Sequence, residues 1–470
     1  MNRKLGLTVI LTVFLAGCFG AIYVSRNPSE ITLSGPNNLL TIQGEASRVI
    51  PETQVNIFTS ENQEYPSISQ LNDTALVIAW ESFTQDGDNY GVYARIFSNK
   101  GTNLTSEFRV NSYKTDEQQD PSVSRLTDTS FVVAWESNLQ DGDGYGIYAK
   151  VFSNIGANLT NDFRVNNYTI SWQINPCVCR LTDTTFVIVW DSAGQDGSLY
   201  GVFAKVFNNS GANITREFRV NTYTTQSQML SSVIRLTDTT FVVTWSGYAQ
   251  EVSGIGVYAK VFNSSGVNLT NEFHVNTYTT GDQLNPSAGR LTDTTFVVTW
   301  QSYQQEGSGY GVYAKVFSSS GANLTNEFRV NTYKTADQFV PSVSQLTSTV
   351  FMVAWTSNGQ DGYNDGVYAR VFSNTGANLT NEFRVNSNTT NHQNYPSTCR
   401  LNATAFAIAW QSYGQDGFYY GVYFSIFNFV EETGGTGQPI PGFELLYLFG
   451  GFALFIPFFI LSQKRRTLTT

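Results

Sequence analysis

LTDTTFVVTW, residues 291–300, is the stretch that decides the fold, because near-copies of it recur along the chain. Its tryptophan, Trp300, has counterparts at Trp80, Trp135, Trp190, Trp245, Trp355 and Trp410, each 55 residues from the next. Seven copies at one spacing describe a repeat array. A leucine (Leu71, Leu126, Leu181, Leu236, Leu291, Leu346, Leu401) and a glycine (Gly91, Gly146, Gly201, Gly256, Gly311, Gly366, Gly421) also occur in all seven copies.

Around the quoted stretch, residues 286–331 read as four strands. PSAGRL (286–291) is a short first strand and TDT a turn. TFVVTW (295–300) is apolar on both faces, as a strand between two neighbouring sheets must be. A loop leads to VYAKVF (312–317), and SSSGANLT (318–325) turns the chain into NEFRVN (326–331). Four antiparallel strands in about 55 residues make a propeller blade, whereas an immunoglobulin-type sandwich needs about 100.

The last unit has its third strand at 421–427 and nothing to follow it in register. The missing strand stands at the front, where residues 52–56 lie 55 positions before 107–111. The expectation is an all-β, closed seven-bladed β-propeller over residues 51–428, its N-terminal strand completing the last blade and sparing the sheet an open edge. Asparagine ends every fourth strand (Asn56 to Asn386) and glutamine holds every crossover (Gln63 to Gln393). Both columns read as hydrogen bonding between blades.

The flanks are apolar. Residues 1–24 read as a signal peptide or signal anchor, within which Leu15–Cys18 resembles a lipoprotein box that would place a lipid on Cys18. Residues 25–50 form an N-terminal extension and 429–442 a linker. Residues 443–462 are long and apolar enough for a transmembrane helix, and the basic tail 463–470 places itself in the cytoplasm and the repeats outside.

With 34 Phe and 25 Tyr the chain has ample material for a large core. Its net charge of −10 leaves no basic footprint, which excludes a nucleic-acid partner. Beyond Cys18, Cys177, Cys179 and Cys399 are too few for a disulfide scaffold and read as free thiols.

The pattern of LTDT-like turn, FVVxW, QDGxxYGVYAKVF and EFRVNTYTT resembles tandem propeller repeats of prokaryotic and protist surface proteins, a group that implies the fold and no single activity. Pro441-Gly442-Phe443 with the apolar span and basic tail resembles an archaeal PGF-type surface sorting signal, which implies replacement of the tail by a lipid anchor.

In such a blade the loops between second and third strands and the crossovers between blades share one end, and the chain termini leave from the other. The first end is the expected contact face. It carries Phe83, Tyr248, Tyr303 and Tyr413 at the starts of loops, and Trp172 and His392 in the most varied crossover column. Exposed aromatics stack on sugars or anchor proteins, and they equally pack loops. Asp86, Asp88, Asp141, Asp143, Asp196, Asp361 and Asp416 offer calcium oxygens or, alternatively, Asp-Gly hairpin turns. Asn103, Asn158, Asn213, Asn268, Asn323 and Asn378 stand in N-[LI]-T glycosylation sequons near the opposite end; the same tripeptide is also turn chemistry.

No nucleophile triad, phosphate loop or zinc spacing appears, and the acids read as repeating in every blade, as turn residues would, so a catalytic centre and a cofactor other than calcium are not expected. The sequence therefore points to a membrane-anchored extracellular recognition or adhesion protein for a glycan or protein. A structural envelope component and a glycan-processing hydrolase are the alternatives.

Overall fold

The computed structural model describes residues 44–430 apart from residues 251, 252, 306 and 418. The signal segment, Cys18, the transmembrane span and the basic tail lie outside the described residues. Among the described residues no helix is long and apolar enough to cross a membrane.

The described residues form 28 strands, β1 to β28, in seven four-stranded antiparallel sheets. The first blade runs β2 (Gln63–Asn72), β3 (Ala75–Phe83), β4 (Tyr90–Ser98), β5 (Phe108–Arg109), in that spatial order. Five more blades repeat it. In the seventh, β26 (Gln393–Arg400), β27 (Ala405–Tyr413) and β28 (Tyr420–Val430) are joined by β1 (Glu45–Gln54), which pairs antiparallel with β28. This strand begins earlier than the expected residue 52, and β28 takes in residues 429 and 430, assigned above to the linker.

The tryptophan ladder fills the spaces between blades. All seven tryptophans are fully buried. Trp135 of the second blade packs with Leu71, Val77 and Ile96 of the first, and Trp80 of the first packs with Ala407, Phe424 and Ile426 of the seventh. Second and third strands are buried on both faces because both faces meet a neighbour. Burying each such large side chain contributes about 2–3 kcal/mol.

Polar side chains add cross-blade bonds at three radii. Near the axis, serine hydroxyls of one first strand accept a backbone N–H of the next: Val123 N–H to Ser67 at 3.1 Å, Val178 to Ser122 at 3.0 Å, and Ile68 to Ser397 at 3.2 Å across the seventh and first blades. At the rim, a fourth-strand acid accepts the N–H that follows the asparagine column of the preceding blade, as from Ile57 to Glu107, Asn167 to Glu217 and Thr222 to Glu272, each at 2.6 Å. The asparagine oxygens themselves bond within their own blade, to the third strand (Val92 N–H to Asn111 Oδ1, 2.8 Å), and only their amides cross to the glutamine column (Asn111 to Gln118, 2.8 Å).

Between these radii lies a cation. Lys150, Lys205, Lys260 and Lys315 each donate to the carbonyl of the valine that follows the preceding blade's fourth strand, while lying over a phenylalanine of their own third strand; Arg95 and Arg370 do the same. The corresponding position in β28 is Ser425, fully buried, its hydroxyl without a partner. The cation comes instead from β1. Arg48 lies 5.5 Å over the Phe427 ring and donates to the Val385 carbonyl and the Ser387 hydroxyl. Glu52, from the same strand, accepts the Ser387 N–H at 2.6 Å and bonds Gln415, completing the rim series.

The fourth strands of the first six blades are only two residues long, not six as NEFRVN suggests. Their edge is shared with the sequon segment, whose asparagine bridges the third strand (Asn103 with Phe97, Asn158 with Phe152) and whose threonine hydroxyl accepts a third-strand N–H, as from Val151 to Thr160 at 3.0 Å.

Two outcomes follow from these contacts. Arg48→Ala should lower unfolding free energy by about 2 kcal/mol, the range for a charge-assisted bond, and adding Ser425→Lys should recover much of the loss by restoring the cation of the other blades; equilibrium denaturation measures both. Thr160→Ala should cost about 1 kcal/mol, whereas Asn158→Gln should stay within about 0.5 kcal/mol, as read by the same method on unglycosylated protein.

Candidate functional site

Glu45 pairs with Val430, so both chain continuations depart from the blade end that carries the turns between third and fourth strands. The opposite end gathers the loops and crossovers of the expected contact face. The aromatic residues singled out there lie one to a loop and form no single cluster. Phe83 packs on Tyr90 at 4.9 Å, and Tyr303 on Tyr310 and Tyr413 on Tyr420, both at 5.0 Å, so these three brace their own loops while Tyr303 and Tyr413 stay exposed; Tyr248 is half-buried. Trp172 differs: it is 51% exposed, edge-on to Tyr145 at 5.9 Å, and lies so close over Gly144 that a Cβ there would come within 2.4 Å of the indole. His392 is tied through Nδ1 to Asp365 at 2.8 Å.

The proposed calcium ligands turn apart. The Asp141, Asp196 and Asp416 carboxylates point inward and accept from Asn166, Asn221 and Asn56 at 3.1, 3.3 and 2.9 Å, and Asp86 faces Arg109. Asp361 lies under Gly366, where a Cβ would meet its carboxylate at 2.6 Å, and the same crowding under Gly91, Gly146, Gly201 and Gly421 explains five glycines of the column; Gly311 instead faces the Tyr313 ring. Asp88 and Asp143 bend the other way, onto the Asp116 and Ser171 N–H groups at 3.1 and 3.0 Å. Among the described residues no group of three acids, histidines or cysteines is placed to hold a metal. The six sequon asparagines, Asn103, Asn158, Asn213, Asn268, Asn323 and Asn378, are exposed. Cys177, Cys179 and Cys399 are free, and burial raises all three thiols, Cys179 and Cys399 to about 12.

A feature of the face that the acid-repeat reading passed over lies nearer the axis. First strands of adjacent blades pack side by side, so they are the inner strands. Each begins with a buried glutamine and then a bulge, and the second residue after the glutamine has positive φ: Tyr65 50°, Asp120 48°, Asn175 54°, Leu230 59°, Asn285 52°, Val340 50° and Tyr395 54°. A β-branched valine in that region is strained. In six blades the strain is held by a bond: the residue after the ladder tryptophan of the preceding blade accepts the N–H, whereas Ser246, which stands there before Asn285, does not. Asp120 N–H reaches Glu81 at 2.9 Å, Asn175 reaches Glu136 at 2.6 Å, Leu230 reaches Asp191 at 2.8 Å, Val340 reaches Gln301 at 3.0 Å, Tyr395 reaches Thr356 at 3.2 Å and Tyr65 reaches Gln411 at 2.8 Å.

Glutamine or threonine suffices for this bond in three blades, yet the first three use acids. The acids therefore do not repeat in every blade: Glu81, Glu136 and Asp191 make this inner ring one-sided. Asp120 lies against Glu136, Glu64 is paired across strands with Glu81, and Tyr90 donates to Glu64 at 3.1 Å. Tyr145 bonds Glu117, linking this sector outward to Trp172. Burial, reinforced by neighbouring carboxylates, holds Glu81 and Glu136 well above the usual range. Burial alone lifts Asp120 to about 6 and Asp191 to about 7. The sequence did carry the signal, as the unlike residues after each tryptophan, hidden by the likeness of their surroundings.

These raised values set the sign of a pH effect. The folded state keeps protons that the unfolded chain releases near 3.8, so stability is full below that pH and falls as pH rises through 6 to 7. The thermal midpoint should drop between pH 5 and pH 8, and Glu136→Gln with Asp191→Asn should flatten that drop, as measured by calorimetry across the range.

No family model matches the chain and no curated protein matches it. Among solved structures, a Dyadobacter fermentans protein of unknown function is 9% identical, covers 82% of this chain and 99% of its own, and has a TM-score of 0.47. The propeller domain of the trilobed protease from Pyrococcus furiosus is 7% identical over 77% of this chain and 94% of its own, TM-score 0.46. The NanB sialidase of Streptococcus pneumoniae is 8% identical over 82% and 70%, TM-score 0.43. At these values none of them bears on what this chain does.

Proposed function

We propose that this chain is a membrane-anchored extracellular recognition protein, a closed ring of blades that presents its crossover face to a glycan or protein ligand. The observation that carries the reading is the contrast between columns. Positions that hold blades together are nearly unchanged around the ring, whereas those on the crossover face differ from blade to blade: Asn62, Glu117, Trp172, Ser227, Asp282, Asp337 and His392 precede the crossover glutamine. Side chains that structure does not constrain to be alike, gathered on one face, suit selective contact. Trp172 offers an exposed ring on a braced mount, beside Tyr145 and Glu117. The contacts of Trp80 and Ile68 with the seventh blade support the closed ring. The apolar span at 443–462 and the departure of both chain continuations from the opposite end support an outward-facing crossover surface. The exposed sequon asparagines suit glycans set away from that surface.

A glycan-processing hydrolase is the second reading, favoured by the Asp120–Glu136 carboxyl pair. Trp172→Ala should abolish capture of the native ligand on a glycan array or from surface extracts while leaving the thermal midpoint within about a degree, since exposed positions carry little stability. Retained capture would remove Trp172 from the contact surface, and glycan turnover abolished by Asp120→Asn would select the hydrolase.

A further inference from the structure

We infer that the crossover between the second and third blades docks a protein rather than a glycan, taking a large apolar side chain flanked by lysine or arginine. The inference rests on the reading of this face as the recognition face and names its ligand class. It starts from where the blades differ. Leu139 stands where the other blades have Thr84, Gly194, Ala249, Gln304, Gly359 and Gly414. Ile170 stands where they have serine or threonine, and Leu199 where they have asparagine, glycine or tyrosine. With Trp172, apolar residues have entered four separate columns at one junction of the ring. Drift would scatter them around it.

The four are neighbours in space. The Trp172 carbonyl accepts the Ala193 N–H at 2.8 Å, and the next residue, Gly194, donates to the Leu199 carbonyl at 2.6 Å. On the other side, Leu139 donates to the Gly144 carbonyl at 2.6 Å, and Gly144 lies against the indole. Leu139, Ile170, Trp172 and Leu199 are 49, 61, 51 and 56% exposed. The fold does not ask for them, since threonine, glycine and asparagine serve at these positions in other blades. Leu139 even takes a φ of 57°, a left-handed value that glycine fills in three equivalent loops. It is thus a strained leucine left half in water.

The chemistry of the patch selects its occupant. A sugar stacks on an indole, but its hydroxyls set over three aliphatic side chains would lose water and gain no partner. An apolar protein side chain seated on Trp172, with the aliphatic groups excluding water around it, is the arrangement of an interface hot spot. The rim supplies the sign of charge. Asp143 is exposed, Glu117 is partly exposed beside Tyr145, and residues 139–144, 167–172 and 194–199 include no lysine or arginine. A basic flank complements that rim, whereas a second copy meeting the same face would set these carboxylates against their own kind.

The test is selection of a phage-displayed random-peptide library on the full-length chain, followed by calorimetry with the synthetic form of the most enriched peptide. Enriched peptides should share a large apolar residue next to lysine or arginine. The peptide should bind at least tenfold more weakly to Leu139→Thr with Ile170→Thr and Leu199→Asn, residues that other blades already hold there and that leave Trp172 in place. Exchanging its basic residues for glutamate should weaken it as much. Leu104→Thr with Leu269→Thr, equally exposed at the opposite end, should not change it. Selection without a shared pattern, or a peptide that binds the triple variant as it binds the wild type, overturns the inference. Glycan capture that needs Trp172 and survives in the triple variant also overturns it, and leaves the recognition reading standing. If native capture persists in Trp172→Ala while the peptide still needs the three aliphatic side chains, the patch stands and Trp172 loses its central role in recognition.

Discussion

The structure depends on each blade satisfying the irregular backbone of its neighbour. A propeller blade is a small sheet that could not stand alone: both faces of its second and third strands are apolar, and its crossovers leave N–H groups that no strand of its own can reach. Buried without partners, each such group would cost about 1–3 kcal/mol. Three circles of side chains meet them, the inner serines, the braces beside the tryptophans and the rim acids. Hydrophobic burial draws the blades together; these bonds fix the rotation and height at which each one seats.

That constraint explains what could be read from the sequence. A contact repeated around an axis leaves the same residue type at the same interval, so the tryptophan, leucine and glycine columns revealed blade number, strand order and the register of Glu52 with Glu107. Arg48 escaped because it performs a third-strand task from a fourth strand, outside the 55-residue register. The short fourth strands escaped because a threonine hydroxyl filling a gap in a ladder looks like any other turn threonine.

The candidate site was less legible for the converse reason. A site that breaks symmetry is spelled by differences, and differences in a repeat resemble drift. Trp172 stood out as a tryptophan away from its ladder. Glu81, Glu136 and Asp191 did not, because Gln301 and Gln411 occupy equivalent places and do the same bracing. Only the shared position of these side chains around the inner bulges shows that three acids stand where glutamine or threonine braces other blades. The Asp-Gly loops carry a structural task of their own: the Asp86, Asp141, Asp196, Asp361 and Asp416 carboxylates fill the space left by a missing Cβ.

The pairing of Glu45 with Val430 has a mechanical corollary. A tug on the crossover face, resisted at both ends of the chain, loads β1 and β28 in the same direction and stresses their mutual hydrogen bonds little. Drawing the two ends away from each other would instead open those bonds one at a time, like a zip, beginning at the outermost pair. The β1–β28 seam is thus stressed little when both ends are drawn the same way and opens pair by pair when they are drawn apart.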